Sequence, residues 1–268
     1  MEFERDKFFF HYTTREAAFG HILPERRLKF SRYLDMRDPL ENKMWAFTAG
    51  GWGDAEPEQQ DAQASAFLEF HRVANLVKER AYLFSVTIDS PQDSEEEEPF
   101  CRGWARARMW EQYAEKHGGV CLVFRRSLLP AEIKHSIQPR DAEYLYASQE
   151  VVYDGGGPTP LLPLNQLGIE DLPGMVSSYV SQNLEPLFFQ KVLDWQTEHE
   201  YRFVVTAPSD EPVVVQFARS LEAVIVGEQF PEWQQTSAIE TCNKIPAKPL
   251  RLSWDLGRPR LSELKARP

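Results

Sequence analysis

The stretch Lys191-Val192-Leu193-Asp194-Trp195-Gln196-Thr197-Glu198-His199-Glu200-Tyr201-Arg202-Phe203-Val204-Val205-Thr206 changes character at its middle. Its first half is crowded with charge, and its second half carries the aromatic and β-branched residues of a buried strand. Alternation assigns Glu198, Glu200 and Arg202 to one face and His199, Tyr201, Phe203 and Val205 to the other. The apolar face suits a core. The opposite face then presents two carboxylates and a guanidinium where the strand begins. Like charges at i, i+2 repel, so a strand that only supports the fold gains little from both glutamates. Two readings stand side by side. In one, the carboxylate pair is poised for chemistry on a cationic or hydroxyl-rich ligand. In the other, Arg202 offsets one glutamate and water solvates the second.

Outward from this strand, helices dominate the first half of the chain and strands the second, without regular βαβ alternation. Phe8 to Thr13 reads as a buried strand, followed by a helix capped at Thr13 or Thr14 and running to about Leu23. Arg27 to Ser31 and Ala81 to Thr87 read as strands, and Glu58 to Lys78 as a helix between them. Asp38-Pro39-Leu40-Glu41 is a turn, because proline biases the residue before it away from the helical region. Arg102 to His117 reads as one helix ended by Gly118-Gly119. Val120 to Phe124 is a buried strand, Leu129 to Ile137 a helix and Glu143 to Tyr153 a strand. Met175 to Phe189 reads as a helix leading into the Glu198 strand. Short strands come next at Val213 to Phe217, Ala223 to Val226 and Leu250 to Ser253, with a helix at Pro231 to Cys242. The glycine- and proline-rich stretch 154–163 is the one linker-like segment, and the chain beyond it does not look independent. The expectation is a single α+β domain over residues 1–268, with mixed or antiparallel sheets and flanking helices.

The chain has 268 residues, 42% of them hydrophobic, enough for one large core. No apolar run is long enough to span a bilayer. The charged beginning, Met1-Glu2-Phe3-Glu4-Arg5-Asp6-Lys7, is unlike a secretory signal. Three widely spaced cysteines, Cys101, Cys121 and Cys242, give neither a disulfide framework nor a CxxC metal site. These features predict a cytoplasmic protein with reduced thiols and no membrane partner. A net charge of −11 argues against a broad nucleic-acid surface. Local phosphate contacts remain open at Arg26-Arg27, at Arg102, Arg106 and Arg108, or at Arg125-Arg126. The acidic run Glu95 to Glu98 reads as a solvated loop.

Several chemistries lack their motifs. There is no G-x-G-x-x-G after a strand and no G-x-x-x-x-G-K-[ST], so Rossmann and P-loop nucleotide binding are unsupported. H-E-x-x-H is absent and the six histidines lack metal-ligand spacing. No G-x-S-x-G elbow signals a serine hydrolase. His11, set among phenylalanines, reads either as a core histidine bonded to a backbone carbonyl or as a ligand contact at the strand's end, where Thr13 adds a hydroxyl. Trp110 and Tyr113 lie three apart on a helix. They form either a core stripe or a flat surface for a nicotinamide or adenine ring, and Trp195 has the same two readings.

These residues resemble the bacterial domain-of-unknown-function family 2971, often encoded among phage-defence or abortive-infection genes. The family's Asp-Pro-x-Glu turn corresponds to Asp38-Pro39-Leu40-Glu41, and its Met-Trp-x-x-Tyr-Ala and Gly-Val-Cys motifs to Met109-Trp110-Glu111-Gln112-Tyr113-Ala114 and Gly119-Val120-Cys121. A strand ending in tyrosine comes next as Val151-Val152-Tyr153. Lys191, Trp195 and Glu198-His199-Glu200-Tyr201-Arg202 complete the order, so the resemblance spans about residues 8 to 230. Arg37 stands where the family usually has asparagine.

A more distant resemblance is to ADP-ribosyltransferases, which open on a strand with His-Tyr-Thr and carry a late catalytic glutamate, often in Glu-x-Glu. It implies NAD as the substrate cofactor and an acceptor of unknown kind, protein, nucleic acid, small molecule or water. It further implies Glu200 as the catalytic residue and Glu198 as the residue that orients the acceptor. His11, Thr13, Ser85, Trp110, Tyr113 and Arg202 become the cofactor-binding candidates. Carboxylates suit this reaction, because cleavage of the nicotinamide–ribose bond develops positive charge on the ribose. Two alternatives compete. One is a non-enzymatic sensing or interaction domain in which Glu198, Glu200 and Arg202 form a structural ion network. The other is a metal-dependent nuclease that uses Asp38, Glu41, Glu198 and Glu200 as magnesium ligands.

Overall fold

A computed structural model describes residues 3–36, 38, 41, 72–91, 98–137, 145–154, 178–207 and 211–266. All but the first residue of the expected linker at 154–163, most of the expected Glu58 to Lys78 helix, most of the acidic run and the middle of the Asp38-Pro39-Leu40-Glu41 turn lie outside these residues.

The chain is an α+β protein, and its described residues build one mixed sheet of nine strands. In chain order the strands are β1 (Phe8–Thr13), β2 (Arg27–Lys29), β3 (Ser31–Arg32), β4 (Ala81–Thr87), β5 (Val120–Arg125), β6 (Leu145–Glu150), β7 (Val152–Tyr153), β8 (Gln190–Lys191), β9 (Glu200–Thr206), β10 (Val214–Gln216), β11 (Leu221–Val226), β12 (Lys248–Asp255) and β13 (Arg258–Glu263). The large sheet runs β13-β12-β11-β5-β1-β4-β9-β6, and β3 pairs with β4. Among its described strands only β11 and β12 pair in parallel. Two small ladders, β2 with β10 and β7 with β8, lie beside it.

The central strands are apolar on both sides because both faces of the sheet are covered. On one face Phe9, Tyr82, Phe84, Val86, Phe203 and Val205 join a large cluster. The helix Leu129–Ile137 enters it through Leu129, Ile133 and Ile137. On the opposite face the side chains divide into two separate clusters. Ala81, Leu83 and Val204 pack with Val73, Ala74 and Val77 of the helix at 72–80 and with Leu187 and Phe188 of the helix Leu184–Phe188. Phe10, Tyr12, Cys121 and Val123 pack with Met109 and Trp110 of the helix Ala107–Tyr113. Between these two clusters β4 presents Ser85 and Thr87. That polar interruption is where the candidate site forms.

The pairing of β1 with β4 is unusually short, a single register pair, Phe10↔Thr87. Beyond it the His11 ring Nδ1, and not a backbone N–H, meets the Ser85 carbonyl at 3.0 Å. The β4–β9 ladder is continuous, from Ala81↔Thr206 to Thr87↔Glu200.

Most expected elements form, with informative departures. The helix expected over Arg102 to His117 shrinks to Ala107–Tyr113. Gly103 is taken by tertiary bonds, its N–H to the Asp89 carboxylate at 2.7 Å and its carbonyl to the Tyr12 hydroxyl at 2.6 Å. A Cβ there would lie 2.3 Å from the Phe10 ring. At the other end Glu115, Lys116 and His117 all have left-handed φ values, which stop the helix before Gly118. The expected Glu143 to Tyr153 strand is divided into β6 and β7 at Val151, whose N–H binds the Glu200 carbonyl. The edge strand β13, with its Arg258-Pro259-Arg260 start, carries no strand signature in sequence.

All three cysteines are buried and free. Among the described residues no helix is long and apolar enough to cross a membrane.

Candidate functional site

Strand β9 begins at Glu200, not at Glu198 as alternation predicts. Leu193–Glu198 is a 3-10 helix, and His199 links it to the strand with a left-handed φ of 44°. Glu198 therefore reaches the Glu200 side of the sheet by a turn rather than by pleat geometry. Its N-terminal neighbour β8 supplies Lys191, whose ammonium lies 2.7 Å from Glu198 Oε2 and 2.9 Å from Glu200 Oε2. Arg202, two residues along β9, grips Glu200 with both sides of its fork, Nε to Oε1 at 2.6 Å and Nη2 to Oε2 at 3.1 Å. Its remaining directions go to the Phe188 carbonyl at 2.7 Å and to an ion pair with Glu41. The result is one buried chain of charge, Glu41–Arg202–Glu200–Lys191–Glu198.

Two phenols border this chain. Tyr113 Oη donates to Glu198 Oε1 at 2.8 Å, although the residue is 41% exposed. Tyr153 Oη accepts the Glu200 N–H at 2.8 Å. Trp195 lies under the cations, with Lys191 Nζ 5.0 Å and the Arg108 guanidinium 5.8 Å from its ring centre. Arg106 ties the rim together by donating to the carbonyls of Ile88 and Thr197.

The electrostatics follow from this geometry. Burial pushes the Glu200 carboxyl up, but Arg202, Lys191 and hydrogen bonds from Arg202 and Ser85 outweigh it and hold it at about 2. Burial also raises Glu41; Arg202 and Lys191 counter it only in part, so its carboxyl stays above the usual range. Burial works against the charge on Lys191, yet Glu200, Glu198 and Glu41 keep its pKa above that of a free lysine. Tyr113 and Tyr153 are raised by burial and then by the neighbouring glutamate, so both remain protonated.

The expected site residues separate into those that meet and those that do not. Ser85, Glu198, Glu200 and Tyr113 come together. Arg202 is 1% exposed with its guanidinium engaged on three sides, so it holds Glu200 and offers no open surface to a cofactor. Trp110 is wholly enclosed, its indole N–H bonded to the Trp104 carbonyl and its ring edge-on to Tyr12. It is a core residue, because a stacking platform must present a free face. His11 packs its ring on Phe84, which belongs to the cluster on the opposite face from Glu200. It and Thr13 thus do not face the glutamates across a common cleft; His11 is joined to them through Ser85, whose carbonyl it binds and whose hydroxyl supports Glu200. A carbonyl only accepts, so Nδ1 carries the proton and Nε2 is the acceptor nitrogen.

Sequence reasoning named Lys191 and Tyr153 only as motif positions, and Glu41 only as a motif position and a metal-ligand alternative. The cue available for Lys191 was a lone lysine seven residues before a glutamate pair. The magnesium arrangement meets an obstacle: Lys191 and Arg202 lie between the carboxylates. Among the described residues no group of three or more acidic, histidine or cysteine side chains is arranged to hold a metal ion.

His11 and His199 give the site region a pH response. Burial lowers both to about 4, with Arg106 adding to the effect at His199. Unfolding releases each to an ordinary value of 6.5, so between about 4 and 6.5 the unfolded chain binds more protons. Their contribution is complete above pH 6.5 and is lost as the pH falls toward 4. Urea midpoints measured across that window should decline with acidification, and less steeply in a His199→Asn variant, since asparagine tolerates the left-handed backbone without titrating.

Residues 109–203 match the family model described as a protein of unknown function (DUF2971). The matched part contains Tyr113, β5, Tyr153, Lys191 and the Glu198–Arg202 segment, which supports the family expected from the sequence. No curated protein and no solved structure matches the chain.

Proposed function

We propose that this protein cleaves the nicotinamide–ribose bond of NAD in the manner of an ADP-ribosyltransferase. The observation that carries the reading is the pair of carboxylates, Glu198 and Glu200, that Lys191 holds together beside the half-open Tyr113. His11 of β1 lies on the other face of the sheet and is joined to Glu200 of β9 only through Ser85 of β4, where the β1–β4 pairing is reduced to one register pair. The resemblance to ADP-ribosyltransferases assigns its functional residues to the same three positions.

Charge supports the same ligand. The chain Glu41–Arg202–Glu200–Lys191–Glu198 holds three carboxylates against two cations. A carboxylate placed beside the ring favours a cationic ligand, and the nicotinamide ring of NAD is a cation. In the reaction the bond from ribose C1′ to the ring nitrogen breaks, and its electron pair neutralises the ring. An acceptor lone pair forms the new bond to C1′, and the acceptor proton leaves to solvent. Carboxylates near C1′ stabilise the charge that develops between these events. As a member of such a family the protein would act as a toxin or phage-defence effector.

The binding test compares NAD⁺ with NADH, whose ring is neutral. NAD⁺ should raise the melting temperature and bind at least about tenfold more tightly, roughly 1.4 kcal/mol. Equal affinity would remove the charge argument. A second reading draws on the near-complete burial of Arg202, Glu200 and Glu41. It makes the network a structural brace in a sensing domain, and under it neither nucleotide changes the melting temperature.

A further inference from the structure

We propose that Glu198, and not Glu200, is the carboxylate presented to the ribosyl group, with Glu200 as its buried support; the proposal rests on the NAD reading above.

The two glutamates are two residues apart, equally buried, and held quite differently. Glu200 receives both arms of Arg202, the Lys191 ammonium and the Ser85 hydroxyl. Its main chain is fixed as well: the N–H goes to Tyr153, the carbonyl takes the Val151 N–H, and the residue pairs with Thr87 in the ladder. Displacing Arg202 from Glu200 with a ligand would strip a guanidinium that is 1% exposed of its bidentate partner, and that costs several kcal/mol.

Glu198 stands outside the ladder, at the end of the 3-10 helix. Lys191 holds Oε2, while among the described residues Oε1 is bonded only by the Tyr113 phenol. Tyr113 is the one described partner in the network with a large open surface, and a phenol is a neutral donor. A ribose hydroxyl entering from solvent can replace it donor for donor, so the exchange leaves no buried charge unpaired. Glu198 then bonds the ribose hydroxyl while its charge faces the carbon losing nicotinamide. It keeps no proton and forms no bond to carbon. Functional groups held in this way are replaced at little cost to the fold, and sometimes with a gain.

The test uses the full chain with Glu198→Gln and Glu200→Gln, reading nicotinamide release from NAD and the melting temperature. Glu198→Gln should lose at least about a hundredfold in kcat with an unchanged or higher melting temperature. Glu200→Gln should lower the melting temperature sharply, and at a temperature where it remains folded it should retain more activity than Glu198→Gln. An active Glu198→Gln variant would overturn the proposal. If the wild-type chain releases no nicotinamide and NAD leaves its melting temperature unchanged, the NAD reading fails and this proposal falls with it. A Glu198→Gln variant as destabilised as Glu200→Gln would make both residues structural and overturn the division.

Discussion

Arg202→Met should destabilise the protein by about 3–5 kcal/mol, because it leaves Glu200 and Glu41 buried with Lys191 as the remaining cation of the chain. Set against typical total stabilities of about 5–15 kcal/mol, such a loss moves the denaturant midpoint far or prevents folding. The guanidinium does three jobs at once, since it neutralises two carboxylates and satisfies the Phe188 carbonyl. Arg202→Lys should therefore recover little, because one ammonium cannot reproduce the fork. The double variant Glu200→Met with Arg202→Met should be less damaged than the single one, since it removes a charge pair and not just one partner. The pH profile supplies an independent sign. Glu200 titrates at about 2 in the folded chain against an ordinary 4.5, so its contribution is complete above 4.5 and is lost as the pH falls toward 2. That part of the acid dependence should vanish in the double variant.

The strands were legible where their composition is one-sided. Phe8–Thr13, Ala81–Thr87 and Leu129–Ile137 form with the expected bounds, the strands from aromatic and β-branched runs and the helix from apolar spacing of four. What sequence could not reveal was set by contacts between distant segments. The helix at Ala107 starts late because Asp89 and Tyr12 claim Gly103. Glu198 leaves the strand because His199 adopts a left-handed backbone that no local pattern demands. The site was half legible. The Glu-x-Glu-x-Arg motif announced a charged face, and the bond of Tyr113 to Glu198 links two motifs of the expected order. Trp110 and Tyr113 looked equivalent by spacing, yet one is sealed in a core and the other is open. That difference depends on β12 and on Tyr12 packing above the helix, contacts with no trace in a helical period.

The fold also explains why His11 gave two readings. It is a histidine bonded to a backbone carbonyl, and it stands one strand away from the glutamates at the shortest ladder of the sheet. Either description alone would miss that it is tied to Ser85 from one side while Glu200 draws on Ser85 from the other.

The largest functional effect to expect is the release of nicotinamide itself. Cleavage of this bond is slow in water and needs negative charge placed beside C1′, the role proposed above for the Glu198 carboxylate. The most direct measurement is the time course of free nicotinamide when the purified chain is incubated with NAD, beside the Glu198→Gln variant. Release that grows with protein concentration and disappears in the variant is the predicted result. No release from the wild-type chain, with NAD also leaving its melting temperature unchanged, would contradict the assignment and leave the charge network as a structural brace.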